Sequence, residues 1–130
     1  MVKIMMVAVG GGLGSVLRYL VQGWAQKLCN GSFPAGTLTV NVVGCLLIGF
    51  LNYAFSGPLL IRQEYRIALT VGVLGGFTTF SAFGWETFAM ANDRQGLMAV
   101  LNVFLNVALG FGAVLVGYRL AEQWFGVGVR

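Results

Sequence analysis

The sequence predicts an all-α integral membrane protein with four transmembrane helices. Hydrophobic residues make up 58% of the chain and charged residues 9%, whereas a soluble domain carries about 25% charged residues. So few charges cannot cover a water-facing surface, and lipid has to be the solvent for most of it. Four apolar runs each reach the length of about 20 residues that a helix needs to cross a bilayer. Short turn-forming clusters separate them: Asn30-Gly31-Ser32 with Pro34, Ser56-Gly57-Pro58, and Asn92-Asp93-Arg94.

The first span is expected from about Ile4 to Ala25. It is too long for a signal-peptide core and passes through Gly10, Gly11, Gly12 and Gly14 without a cleavage motif. The second is expected over Thr37–Phe55, the third over Ile67–Met90 and the fourth over Leu97–Leu120. No linker is long enough to divide the 130 residues, so residues 1–130 read as one membrane domain. Four spans return both termini to one side. That side carries Lys3, Arg62, Arg66, Arg119 and Arg130 against Lys27 and Arg94 opposite, a bias toward cytoplasmic termini. Insertion in both directions stays open. Glycines at helix-contact spacing (Gly10 and Gly14, Gly72 and Gly76, Gly44 near Gly49) suit tight packing within or between subunits. Four spans are few for a complete pathway, so a homo-oligomer is expected, with a dimer as its smallest closed form.

The inventory of chemistry is thin. There is no histidine, and the acids are Glu64, Glu86, Asp93 and Glu122. Acid/base, metal-dependent and triad catalysis all need groups this set scarcely holds, so the chain does not read as an enzyme. The net charge of +4 has no dense basic run behind it, which argues against nucleic-acid binding. Cys29 and Cys45 fall at different depths and read as two free thiols.

What remains is concentrated in the spans. The third carries GVLGGFTTFSAFGWE over 72–86, placing Gly75, Gly76, Thr78, Thr79 and Ser81 near mid-membrane. Backbone of poor helix propensity at that depth persists only where it is buried in protein or lines a polar cavity. The stretch is therefore a candidate helix break at Gly75–Thr78, and such breaks bind ions or substrates. Phe80 and Phe83, three apart, share a face; they either pack the core or offer their positive ring edges to an anion. In the second span, GTLTVNVVG sets Thr37 and Asn41 on one face. Asn41 either glues helices or lines a pathway. Asn102 and Asn106 repeat the spacing in the fourth span, and with Asn41 they form a ladder of neutral donors. Neutral donors hold an anion loosely enough for it to leave again. Fluoride, the halide whose lost water is hardest to replace, suits such a path. Arg18 shares a face with Gln22 and Gln26 and either snorkels to the interface or turns inward. Glu86 is the one acid within a span, functional by default or seated in an end vestibule.

Taken together, GTLTVNVVG and GVLGGFTTFSAFGWE, with SVLRYL in the first span and LNVFLN in the fourth, resemble the Fluc family of fluoride channels over nearly the whole chain. The resemblance implies small four-span subunits forming antiparallel, dual-topology homodimers in the cell membrane, passively exporting fluoride through two pores. By resemblance, Asn41, Phe80 and Phe83 lie on the fluoride path with Thr79 and Ser81 beside them. Asn102 and Asn106 match the polar track of the fourth span. Gly75 and Thr78 match positions whose carbonyls hold a central sodium ion that is not transported; Arg18 and Glu86 match the first-span arginine and the vestibule glutamate. Ala82 stands where threonine is frequent in the family. The competing reading is a small multidrug-type proton antiporter, also four spans. That mechanism needs a deep carboxylate, typically in the first span, and this first span has none.

Overall fold

The computed structural model describes residues 1–126; Arg130, counted above among the charges at one membrane end, lies outside them. Four long apolar helical spans account for nearly all of those residues. The first is α1 (Val2–Cys29). It extends past the expected Ala25 because Gln26 and Lys27 tolerate the headgroup region, and it stops where Asn30 turns left-handed (φ 44°, ψ 25°). That conformation lets the Asn30 N–H donate to the Gln26 carbonyl, a common way for a helix to end. Pro34, which cannot donate from its backbone, precedes α2 (Ala35–Phe55).

The third span, Gln63–Asn92, changes character along its length. It begins as α3 (Gln63–Ile67), widens into a π-helical stretch over Ala68–Leu74, and regains α geometry in α4 (Gly75–Phe77). Thr78 (φ −85°, ψ 158°) and Thr79 (φ −148°, ψ 116°) are extended, and α5 (Phe80–Asn92) then completes the crossing. Gly75 itself is right-handed helical (φ −63°, ψ −37°). The extended residues are thus the two threonines and not the glycines, a shift from the expected Gly75–Thr78. Branched threonines are stiff in a helix and at home in extended backbone. A short turn then leads into α6 (Gly96–Gly126).

Two seams hold the bundle. α2 packs on α6 more extensively than any other pair of elements does, while α1 lies against the π-helical stretch and α4. Both are glycine seams. A Cβ at Gly49 would overlap the Val114 carbonyl, and one at Gly117 the Leu46 carbonyl. Across the other seam, a Cβ at Gly14 would overlap the Val73 carbonyl and one at Gly76 the Gly11 carbonyl. Gly10 and Gly72 meet similarly: a Cβ on Gly72 would lie 3.2 Å from the Gly10 Cα. Lipid tails are as apolar as leucine, so close backbone packing has to replace the hydrophobic drive that water supplies. The outer faces are apolar and exposed, as with Val9, Val16 and Leu20 on α1 and Phe104, Phe111 and Leu115 on α6.

Candidate functional site

The two extended threonines put unpaired backbone in the middle of the bundle, and Asn41 of α2 pairs it. The Thr79 N–H donates to Asn41 Oδ1 (2.9 Å), and Asn41 Nδ2 donates to the Thr79 carbonyl (3.1 Å). One primary amide thus takes the role a neighbouring strand would play. In an unbroken helix that Thr79 N–H would bond the Gly75 carbonyl; here it does not. Thr79 also starts α5, its Oγ1 accepting from the Ala82 N–H (3.2 Å). A cap of this kind contributes about 1 kcal/mol. Ser81 Oγ lies 3.4 Å from Thr79 Oγ1.

The amide network continues into α6. Asn41 Nδ2 donates to Asn106 Oδ1 (3.0 Å), and Asn106 Nδ2 donates to both the carbonyl and Oδ1 of Asn102 (3.0 Å each). Asn102, with no exposed surface, donates to Thr87 Oγ1 (2.9 Å), and Thr87 returns the chain to α5 by donating to the Phe83 carbonyl (2.8 Å). Neutral donors and acceptors satisfy one another throughout, as buried polar groups must. Asn41 therefore ties α2 to the interruption and also lines a cavity.

That cavity, of about 370 Å³, is lined by Asn41, Thr78, Thr79, Phe80, Phe83 and Asn106, with Cys45 and Thr70 among its other walls. Among the described residues no charged side chain lines it. The rings of Phe80 and Phe83 are 5.5 Å apart and tilted by 58°. Phe80 is 82% exposed, so it is not core packing in this subunit. α5 begins at this cavity, and a helix N-terminus carries partial positive charge that favours anions.

Arg18 is turned inward and does not snorkel. Its guanidinium donates to the Thr78 carbonyl (3.4 Å), part-buried beside the interruption. Thr78 bonds back to the Leu74 carbonyl through both its N–H and its Oγ1 (3.0 Å each). Thr37 does not join the Asn41 network, although it shares that helix face. It accepts from Gln22 Nε2 (3.0 Å) and donates to Glu86 Oε1 (2.6 Å), nearer one membrane end. Glu86 Oε2 is buried and unpartnered among the described residues. Glu86, Gln22, Tyr19 and Gln26 line a separate polar recess at that end.

Two contributors escaped the sequence reading. Thr87 sits one helical turn past Phe83, and that spacing alone was its signal. Gln22 was visible only as a companion of Arg18. Cys29 and Cys45 are both free thiols.

Residues 5–118 match the family described as CrcB-like protein, Camphor Resistance (CrcB). The chain is 45% identical over 123 residues to a fluoride-specific ion channel FluC of Geobacter sulfurreducens, covering 95% of this chain and 99% of that protein. It is 43% identical to the protein of that name in Geobacter metallireducens over the same shares. With the one in Clostridium perfringens the identity is 39% over 121 residues, 93% of this chain and 94% of that protein. The resemblance read from the paired motifs therefore holds along the length of the molecule, and the chain belongs to the CrcB-like family as a multi-pass protein of the cell membrane.

Proposed function

We propose that the protein is a fluoride-selective channel that passively lowers cytoplasmic fluoride. The observation that carries this reading is the uncharged cavity at the start of α5, where Asn41, Asn106, Phe80 and Phe83 converge. A cation finds no carboxylate there. An anion finds a helix N-terminus, amide donors and ring edges, each favourable and none strong. The amide N–H groups already have neutral partners, so an arriving ion replaces an amide oxygen and no orphan donor waits to trap it. Conduction needs binding of that kind, strong enough to admit the ion and weak enough to release it. The membrane potential supplies the drive, about 2.3 kcal/mol per charge per 100 mV. HF crosses lipid and dissociates inside, so a passive path for the anion suffices.

The working unit is an antiparallel homodimer surrounded by lipid, with Phe80 reaching toward the partner. A structural sodium ion at the dimer centre fits the donors present. The Gly75 carbonyl lacks its Thr79 partner, and the Thr78 carbonyl, with two lone pairs, can accept Arg18 and still face an ion. These are hard oxygen donors, suited to an alkali ion and not to zinc or copper. Gly75 and Thr78 would hold that ion from each subunit, and it would neutralise carbonyl dipoles without moving with fluoride.

The proton-antiporter alternative lacks its central group. The first span has no acid, and Glu86 is engaged with Thr37 toward one end. Fluoride-loaded proteoliposomes separate the two readings. Release without a proton gradient, surviving in part in Glu86→Gln, is the expected result. Release that requires a proton gradient and vanishes in Glu86→Gln would favour the antiporter.

A further inference from the structure

The central cavity has a neighbour toward the membrane end where α3 begins. A second cavity of about 440 Å³ is lined by Asn52, Phe55, Ile61, Gln63, Arg66, Ile67 and Thr70. Thr70 lies in the wall of both spaces. The α2 wall is continuous too: Ile48 lines the central cavity, and Asn52, one turn on, donates to the Ile48 carbonyl (2.8 Å) while lining the outer one.

Arg66 distinguishes this space. Its guanidinium carbon sits 5.5 Å from the centroid of the Phe55 ring, and Phe55 is itself buried. A cation over an aromatic face is attracted to it without being neutralised. Nearby arginines are paired: Arg62 with Glu64 (3.6 Å) and Arg119 with Glu122 (2.8 Å). Arg66 has no acid partner among the described residues. The recess at the opposite end is instead lined by Glu86.

We infer that the Arg66 cavity is an anion-gathering mouth of the fluoride pathway, with Arg66, resting over Phe55, raising the local concentration of fluoride before it passes Thr70 into the neutral cavity. The inference rests on the channel reading above. A fixed charge at a mouth lined by low-dielectric walls concentrates counter-ions and raises their rate of arrival, and salt screens the effect. It does not sort fluoride from chloride, because both carry the same charge.

The test is initial fluoride efflux from zwitterionic-lipid proteoliposomes at two ionic strengths set with an impermeant salt. At about 0.01 M the screening length is about 30 Å, and at about 1 M it is about 3 Å. One unit charge acting over about 10 Å of water changes the local ion concentration about twofold. Arg66→Gln is therefore expected to slow efflux about twofold and Arg66→Glu about fourfold at low salt, with Arg66→Lys close to the unsubstituted protein. At high salt the differences should collapse, and the fluoride-to-chloride ratio should be the same in all four proteins. Equal efflux at low salt in Arg66→Glu would overturn the inference. So would a deficit that salt does not relieve, which would assign Arg66 to packing or to a lipid headgroup. Absence of fluoride efflux from the unsubstituted protein would instead overturn the channel reading, and this inference with it.

Discussion

The seam between α1 and the π-helical stretch is closed by backbone throughout, whereas α2 and α6 meet by backbone only at Gly49 and Gly117 and are joined to each other and to α5 by side-chain amides around the interruption. In the first, Gly10, Gly14, Gly72 and Gly76 remove Cβ atoms so that helices approach to carbonyl contact. In the second, Asn41, Asn102 and Asn106 supply donors and acceptors that bind one another and the freed Thr79 backbone. Both are built on residues spaced by four or close to it, yet one seam is sealed and the other borders a cavity. Small residues let helices touch, while Asn41 and Asn106 also line the cavity beside them. Close backbone contact lies on one side of the interruption and the neutral polar cavity on the other.

The sharpest way to break this division is to disturb the sealed side. Gly14→Val places a side chain on the Val73 carbonyl, where backbone cannot yield. Overpacking of this kind costs about 1–3 kcal/mol or more, and the expected result is loss of folded protein in detergent, read by size-exclusion chromatography and thermal melting. A normal elution profile and melting temperature would show that α1 does not need its close approach.

On the cavity side the expected losses are of transport with the fold retained. Phe80→Ile and Phe83→Ile keep apolar bulk but lose the ring edge, and should cut fluoride efflux at least tenfold. Asn41→Asp should be as damaging, since a carboxylate repels the ion and loses the donors that hold Asn106 and the Thr79 carbonyl. Leaving those two acceptors, the Thr79 carbonyl and Asn106 Oδ1, without their donor costs about 1–3 kcal/mol in addition. Normal efflux in all three variants would reduce the amides and rings to packing.

The smallest expected effect comes from the hinge between the two regions. Thr79→Ala removes the cap on α5 and should lower stability by about 1 kcal/mol, shifting the melting temperature by a few degrees. Efflux should fall less than in Asn41→Asp, because the Thr79 backbone still pairs with Asn41. A larger loss in Thr79→Ala than in Asn41→Asp would invert the order of importance.

The four spans were legible because span length and charge depletion are strong signals, and only their ends moved outward. Asn41, Asn102 and Asn106 were legible as a set because three amides in apolar helices have few reasons to be there. The site of the interruption was legible only to within a few residues. Glycine's poor propensity pointed to Gly75 and Gly76, yet both remain helical, because Gly76 is needed small for its contact with Gly11. The π-helical stretch left no mark in the sequence, since seven residues of Ala68–Leu74 are equally apolar in either winding. Thr37 shares a face with Asn41 but bonds Glu86 one turn away, a distinction set by which helix lies opposite. The choice between the two orientations of Arg18 was not legible, because its target, a freed carbonyl, exists only once the chain has folded.

The central claim is that an uncharged, amide-lined cavity beside a helix N-terminus passes fluoride selectively. Side-by-side efflux of fluoride and chloride from proteoliposomes of the purified protein, with a potassium diffusion potential as the only driving force, tests it most directly. Rapid release of fluoride with chloride retained is the predicted result. Equal release of both ions, or release of neither, would contradict it.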